Sequence, residues 1–310
     1  MLELAILGSG SSGNSALVCL GETRILIDAG LSARQLCLRL ENLGVDPDRL
    51  SAIVLTHEHG DHTRGIDVFC RKRSIPVYGT THTCAVVREN VKSEVPWHHF
   101  EAGDDFSIEG VNVESFSVPH DAVDPVGFIF RCSQSSVGVV SDVGHVTRMI
   151  IDRLKGVNTL FVESNYDEVM LQNDTHRPWS TKQRISNRHG HLSNDQAAGL
   201  VSEVASSNLT RVVLGHLSSD CNAPELARRV ILKKLESEGH SHVQVDCAMR
   251  KDPLPLCKTA LESPDSTENV SEHISEEKSA KPAQVCDSTS ASAEPPQVSV
   301  EEWSQTEWAF

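Results

Sequence analysis

The chain of 310 residues lacks several features that would assign it to a class at once. No apolar run is long enough to cross a bilayer, and no CxxC pair occurs among the nine scattered cysteines. The N-terminal stretch MLELAILGSG has neither a basic region nor a small-residue cleavage site, so we expect no secretory signal. Free thiols in a reducing compartment fit this pattern better than a disulfide framework. These absences predict a cytoplasmic protein outside the membrane.

Basic residues are also scarce, since 28 lysines and arginines face 43 acids and the net charge is −15. The excess is uneven: residues 262–310 contain eleven acids and two lysines, whereas residues 1–261 carry a net charge of only −6. A mildly acidic body excludes nucleic-acid binding driven by overall charge. Binding of that kind would need a local basic patch.

The composition changes near Pro253, where Ser, Glu and Pro become frequent and apolar periodicity ends. Such a segment cannot bury enough apolar surface to fold. We therefore expect a folded domain over residues 1–255 and a disordered acidic tail over residues 256–310. The tail ends in EEWSQTEWAF, which fits a docking peptide for a protein partner and equally a tail without one.

Strand and helix patterns alternate along the first 255 residues. Apolar runs such as LELAIL, SALVCL and LSAIVLT predict strands. The segments SARQLCLRLENLG, HTRGIDVFCRKR and APELARRVILKKLESEG predict helices. Two packed sheets with helices outside them are the simplest arrangement that buries this mixture, so the sequence predicts an α/β fold.

The segment THEHGDH contains four potential metal ligands within six residues: His57, His59, Asp61 and His62. On a loop that leaves a strand, alternate residues face the same side, so His57 and His59 can hold one ion. Asp61 and His62, one helical turn later, can face a second ion. Imidazole and carboxylate ligands suit Zn²⁺ or a similar divalent ion.

Three later polar residues, His120, Asp142 and His216, also follow apolar runs. Because each run predicts a strand, folding can bring these side chains to one edge of the sheets. An ordinary surface role explains any one of them equally well. It explains the whole set poorly.

The HxHxDH pattern followed by His, Asp and His resembles the metallo-β-lactamase fold, and within it the YycJ/WalJ-type subfamily. The likeness covers about residues 1–240 and rests on these motifs, in order: GSGSSGNS, LIDAGLS, THEHGDH, VPHDAVDPVGF, SDVG, VESNYD, GHLSN and GHLSSDCN. The resemblance implies an αββα four-layer sandwich with its metals at one edge. Residues 1–255 would then be a hydrolase domain.

The resemblance also implies a ligand set for two ions, Zn²⁺ or Mn²⁺. The implied ligands are His57, His59 and His120 for the first ion, Asp61, His62 and His216 for the second, and Asp142 for both. A hydroxide between the ions would be the nucleophile, with Asp61 as a catalytic residue. Asp28, in LIDAG, would hydrogen-bond a ligand histidine, although an ordinary turn aspartate is the other explanation.

The segment THRPWSTKQRISNRHGH, residues 175–191, contains four basic residues, three histidines and a tryptophan but no acid. It predicts a local basic patch whose aromatic ring can stack on a base. Arg184 and Arg188 are the expected phosphate contacts. A solvated loop with chance charge is the alternative.

A capping-box pattern follows this segment, with Ser193 at the N-cap and Gln196 three residues later. Since a helix N-terminus is a natural phosphate site, we expect Ser193 and His191 to bind substrate. A positioned histidine can also protonate a leaving oxygen, so His191 is a second candidate catalytic residue. We expect His189 to have no role.

Phosphodiester hydrolysis is the function that these features favour most. The YycJ/WalJ resemblance implies 5′-to-3′ exonuclease action, on DNA more than on RNA. His59 argues against the flavodiiron-type redox relatives, which carry Glu there, and the 73 residues between Asp142 and His216 leave no room for a β-CASP domain. Two alternatives stay open: a small-molecule ester or thioester hydrolase of the same fold, and a non-catalytic metal-binding regulatory protein.

Overall fold

The strands of this computed structural model, which describes residues 1–133, 135–248 and 254–259, form two seven-stranded sheets. In spatial order the first sheet contains β14 (Leu254–Lys258), β1 (Glu3–Gly8), β2 (Ser15–Leu20), β3 (Thr23–Ile27), β4 (Ala52–Val54), β5 (Val77–Thr80) and β6 (Trp97–Phe100). The second contains β13 (Gln244–Cys247), β12 (Arg211–Gly215), β11 (Thr159–Glu163), β10 (Ser136–Val140), β9 (Val126–Arg131), β8 (Val111–Ser117) and β7 (Asp105–Ile108).

Helices connect many of these strands. They are α1 (Ala33–Asn42), α2 (Gly60–Thr63), α3 (Ile66–Cys70), α4 (Thr81–Asn90), α5 (Arg148–Leu154), α6 (Glu168–Asn173), α7 (Trp179–Ser186), α8 (Asn194–Val204) and α9 (Pro224–Ser237), with a short 3₁₀ turn at Pro47–Arg49. Within the described ranges, every helix is too short or too polar to span a bilayer.

Strand side chains alternate between apolar layers, as the pleat requires. In β1, Leu4 and Ile6 point into the layer between the two sheets, whereas Ala5 packs with residues of α1 and α3. In β11, Phe161 faces the other sheet, whereas Leu160 packs with residues of α5, α8 and α9. The molecule is therefore an αββα sandwich, and the predicted fold class is confirmed.

The predicted metal ligands lie at an edge of the sandwich that parallel strands form. In the first sheet β3, β4, β5 and β6 are mutually parallel, and in the second β10, β11, β12 and β13 are parallel. The carboxyl ends of parallel strands lie at one edge of a sheet. Loops that leave β3, β4, β10 and β12 therefore start from two such edges.

Strand β14 pairs with β1 in antiparallel register, with Lys258 opposite Glu3. The next residue, Thr259, donates its backbone N–H to Leu2 O at 3.1 Å. The folded body thus continues a few residues beyond position 255, where we predicted its end. The predicted tail from residue 260 onward lies outside the described residues.

The helix predicted over HTRGIDVFCRKR is split into α2 and α3. Gly65 stands between them, and its N–H donates to Ala29 O at 2.8 Å. A Cβ at this position would come within 2.2 Å of Leu31 O. The chain therefore needs glycine here because its backbone passes directly against residues 29–31.

Candidate metal centre

The structure brings the seven predicted ligands to one place, each at a strand end or in α2. His57 and His59 follow β4, Asp61 and His62 lie in α2, and His120, Asp142 and His216 follow β8, β10 and β12. Five of them are buried, while His59 and Asp61 are partly exposed. Burying so many polar groups together is costly unless a partner compensates.

His57, His59 and His120 form the first candidate site, since one nitrogen of each lies within 4.8 Å of the others. His57 Nδ1 lies 3.0 Å from Thr56 Oγ1, and His120 Nδ1 lies 3.1 Å from Gly190 O. The Nε2 atoms of His57 and His120 are buried and have no hydrogen-bond partner in the described part of the chain. These unpaired nitrogens fit a divalent ion.

The other four residues surround a neighbouring position. Asp61 Oδ2 lies 3.7 Å from His62 Nε2 and 3.9 Å from His216 Nε2. Asp142 Oδ2 lies 3.3 Å from His62 Nε2, and Asp142 Oδ1 lies 3.0 Å from His216 Nδ1 and 3.8 Å from His120 Nε2. Asp142 therefore stands between the two groups, which suits a shared ligand.

Asp28 makes the contact expected of it. Its Oδ2 accepts hydrogen bonds from His62 Nδ1 and Thr56 Oγ1, both at 2.8 Å, and its Oδ1 accepts one from Thr56 N at 2.8 Å. Because Nδ1 of the ring is held in this way, Nε2 is the nitrogen left for an ion.

Three residues of the centre adopt a left-handed backbone: Asp28 (φ 57°), Asp142 (φ 57°) and His216 (φ 51°). Only one other described residue that is not glycine, Glu109, has a positive φ. Asp28 and His216 come directly after β3 and β12, and Asp142 comes two residues after the end of β10. This conformation costs about 1–3 kcal/mol per residue and is concentrated at functional sites.

Burial sets the protonation of the first candidate site. It lowers the pKa of His57 well below the usual histidine value, and it also lowers the pKa of His59 and of His120. Neutral imidazole is the form that binds metal. Burial acts in the same direction on His216, but the charge of nearby carboxylates, above all Asp142, outweighs it and raises the pKa of His216 to about 10.

Glu163, the last residue of β11, also lies at the centre, although we did not predict a role for it from the sequence. Its carboxylate accepts hydrogen bonds from the backbone N–H of Asp142, Val143 and Leu192 at 3.1, 2.9 and 2.8 Å. His191 Nδ1 lies 3.1 Å from Glu163 Oε2. A glutamate that ends the apolar run in VESNYD was the available signal.

Donor atoms of Asp142, Glu163, His191 and His216 also lie within 4.8 Å of one another, which is close enough to hold an ion. Both oxygens of Glu163, however, already accept backbone N–H bonds. We therefore assign Glu163 to holding the His191 ring rather than to a metal ion.

Arg184 and Arg188, the predicted phosphate contacts, lie outside the buried cluster of ligands. Arg184 and Arg188 are exposed; Arg184 Nε lies 3.6 Å from Asp121 Oδ2, and Arg188 Nη2 lies 3.2 Å from His145 Nε2. His189 is also exposed, and its carbonyl accepts the N–H of Asp121. The two arginines lie at the surface, as a contact to phosphate requires.

We predicted that Ser193 binds substrate, but its side chain is fully buried. The capping box is present: Ser193 Oγ accepts from Gln196 N, and Gln196 Oε1 accepts from Ser193 N. The hydroxyl also donates to Glu168 Oε1 at 3.1 Å. Ser193 therefore caps α8 and is not placed to bind a substrate.

Comparison with known proteins decides the family. Residues 23–217 match the model of the Beta-lactamase superfamily domain. The chain is 34% identical over 241 residues to Exodeoxyribonuclease YycJ of Bacillus anthracis, a match that covers 77% of this chain and 90% of that protein. The chain belongs to the YycJ/WalJ group of the metallo-β-lactamase superfamily.

Two further comparisons agree with this assignment to the YycJ/WalJ group. Exodeoxyribonuclease WalJ of Streptococcus pneumoniae is 33% identical over 75% of this chain and 88% of its own length. The metallo-β-lactamase fold protein YhfI from Bacillus subtilis superposes with a TM-score of 0.63 at 15% identity, covering 82% of this chain and 99% of that one, and shows the fold. The predicted family, a metallohydrolase of the YycJ/WalJ type, is confirmed.

Proposed function

We propose that the protein is a dinuclear metal-dependent phosphodiesterase that degrades DNA from the 5′ end. The observation that carries the proposal is the Glu163–His191 pair beside the cluster of potential ligands. The His191 ring centroid lies 5.0 Å from that of His216 and 5.4 Å from that of His120. Groups that can hold metal and a group that can protonate a leaving oxygen are thus neighbours. The names of YycJ and WalJ support DNA as the substrate.

The proposed ligands are those that the family resemblance implied. They are His57, His59 and His120 for one ion, Asp61, His62 and His216 for the other, and Asp142 for both. An ion held by these residues, Zn²⁺ or Mn²⁺, would supply an activated water for attack on phosphorus and would stabilise charge on the phosphate oxygens.

His191 is the proposed proton donor. Glu163 holds its Nδ1, and three backbone N–H groups in turn hold Glu163. The ring therefore keeps one orientation, and Nε2 is the atom that gives the proton to the sugar oxygen as its bond to phosphorus breaks.

The surface near His191 is the proposed DNA contact. Arg184 and Arg188 contribute positive charge for backbone phosphates, and Trp179, 68% exposed at the start of α7, offers a ring for base stacking. The last turn of α7 is joined directly to the centre, because His191 N donates to Ile185 O at 2.8 Å.

Two broader expectations accompany this proposal. A cytoplasmic location fits a DNA-degrading enzyme with many free thiols. A protein partner for the terminal segment EEWSQTEWAF is proposed from sequence alone, since that segment lies outside the described residues.

The test compares single-stranded DNA, duplex DNA and RNA of one sequence, each labelled at the 5′ end, with Zn²⁺ or Mn²⁺ added to metal-free protein. We expect DNA to be shortened from the 5′ end, and the rate to fall steeply as salt rises from about 50 to 200 mM. Asp61→Ala should abolish cleavage. Asp152→Ala, an exposed aspartate in α5, is the matched control and should cleave like the wild type.

Other outcomes decide against the proposal in distinct ways. Hydrolysis of a thioester with all oligonucleotides left intact would favour the small-molecule hydrolase. Tight metal binding without hydrolysis of either substrate class would favour a regulatory protein.

A further inference from the structure

The loop between β1 and β2, which contains most of the motif GSGSSGNS, reaches the candidate metal centre. Its residue Asn14 is buried, with 7% of its surface exposed. Asn14 Nδ2 lies 3.0 Å from Asp61 Oδ2 and 3.0 Å from His62 Nε2. An amide that touches two proposed ligands of the same ion calls for an explanation.

The orientation of this amide is fixed from both ends. Asn14 Oδ1 accepts the N–H of Gly10 at 2.7 Å, so Nδ2 must face Asp61 and His62. If the amide were turned over, its oxygen would lie against the Asp61 carboxylate. His62 Nδ1 lies 2.8 Å from Asp28 Oδ2, so Nε2 is the ring nitrogen that faces Asn14. Close polar contacts therefore run without a break from Gly10 through Asn14 and His62 to Asp28.

The main chain of Asn14 holds Asp61 as well. Asn14 N donates to Asp61 O at 2.7 Å, and Asn14 O accepts from Gly30 N at 2.9 Å. A Cβ at Gly30 would lie only 1.6 Å from Asp61 O, so glycine is required for this approach. Backbone and side chain of Asn14 thus fix the same aspartate from two directions.

We propose that Asn14 is a positioning residue, whose amide holds the Asp61 carboxylate and the His62 ring in a ligand arrangement before an ion binds. The inference rests on the proposed metal centre. An ion on His62 Nε2 uses the lone pair of that nitrogen, so the 3.0 Å contact between Asn14 Nδ2 and His62 Nε2 must be lost on binding. The bond to Asp61 Oδ2 can stay, because a carboxylate has further lone pairs.

Metal affinity tests this role. Zn²⁺ is titrated into metal-free wild type, Asn14→Ala and Asn158→Ala in competition with a chromophoric chelator. Asn158 is the matched control. It is a partly buried asparagine whose side chain accepts a hydrogen bond from Ser136 N, and it lies just before β11, at the end of that strand away from the metal centre. We expect Asn14→Ala to weaken Zn²⁺ binding about 10- to 100-fold. Asn158→Ala should bind Zn²⁺ like the wild type.

A second measurement uses only the wild type, so it decides the matter even if Asn14→Ala fails to fold. Asparagine side chains are labelled with ¹⁵N, and their NMR signals are followed as Zn²⁺ is added. The Nδ2 signals of Asn14 should move, while those of Asn158 should not. Unmoved Asn14 signals at saturation, or wild-type affinity in folded Asn14→Ala, would overturn the proposal. Failure of the wild type to bind Zn²⁺ or Mn²⁺ would instead remove the metal centre itself.

Discussion

The His191 ring is anchored through Nδ1 on Glu163, at 3.1 Å, which makes its proposed role as proton donor testable through the leaving group. His191→Ala should lower turnover of DNA by about 10²- to 10⁴-fold, the usual contribution of general acid catalysis. The loss should be much smaller with thymidine 5′-(p-nitrophenyl phosphate), because p-nitrophenolate departs without a proton. Steady-state rates on both substrates measure the difference.

His189→Ala is the matched control for this experiment, since His189 is an exposed histidine two residues away. It should retain wild-type rates on both substrates. Equal losses on DNA and on the p-nitrophenyl ester in His191→Ala would show that His191 does not protonate the leaving group. Metal content of each variant should be measured alongside the rates.

At the scale of single residues, the sequence motifs predicted the ligands and Asp28, but they did not reveal Asn14 or Glu163. His57, His59, Asp61 and His62 stand within one short motif, so their common purpose is visible in the sequence. Asn14 meets Asp61 across 47 positions, and Glu163 meets His191 across 28. A lone Asn or Glu in a sequence does not reveal such a partner, because only the fold brings the two together.

Among the elements, the segment carrying α6 and α7 is attached to the centre by an ion-paired arginine. Arg177 Nη1 lies 2.6 Å from Asp174 Oδ2, and Arg177 Nη2 lies 2.7 Å from Asp220 Oδ2. Of these two partners, Asp220 lies in the loop that follows His216. Arg177→Ala should speed amide hydrogen exchange in residues 168–186 about tenfold, since a hydrogen bond to a charged group contributes about 1.5–3 kcal/mol. Exchange followed by mass spectrometry measures this.

Arg148→Ala is the control for that measurement. Arg148 pairs with Asp152 inside α5, where both side chains are largely exposed, so its loss should matter little. If the two variants exchange alike in residues 168–186, the Arg177 pairs do not anchor the segment. This arginine also reduces the charge that the basic segment can offer to DNA, which its composition alone did not reveal.

Elements with a strong apolar pattern were predictable, and those without one were not. The buried strands β1, β2 and β11 follow clear apolar runs. Helix α7 buries none of its residues, so it has no apolar stripe for the sequence to display. Strands β5 and β6 span only four residues each, which is too short for an alternation to stand out.

Considered as a whole, the molecule has its proposed metal ligands on both sheets. His57, His59, Asp61 and His62 follow β4 of the first sheet, while His120, Asp142 and His216 follow strands of the second. Ions bound by this set would join the two sheets, and the unfolded chain cannot offer the same site. Metal binding should therefore stabilise the entire sandwich rather than one loop.

Removal of metal by a chelator should accordingly lower the melting temperature. Free metal at a hundredfold excess over its dissociation constant stabilises a protein by about 2.7 kcal/mol, which corresponds to about 5–10 °C for a domain of this size. Calorimetry of wild type with and without chelator measures the shift. Asp61→Ala, which lacks one ligand, should show a smaller shift, and Asp152→Ala should show the full one. Identical melting of metal-free and metal-loaded wild type would mean that the ligands do not bind an ion that joins the two sheets.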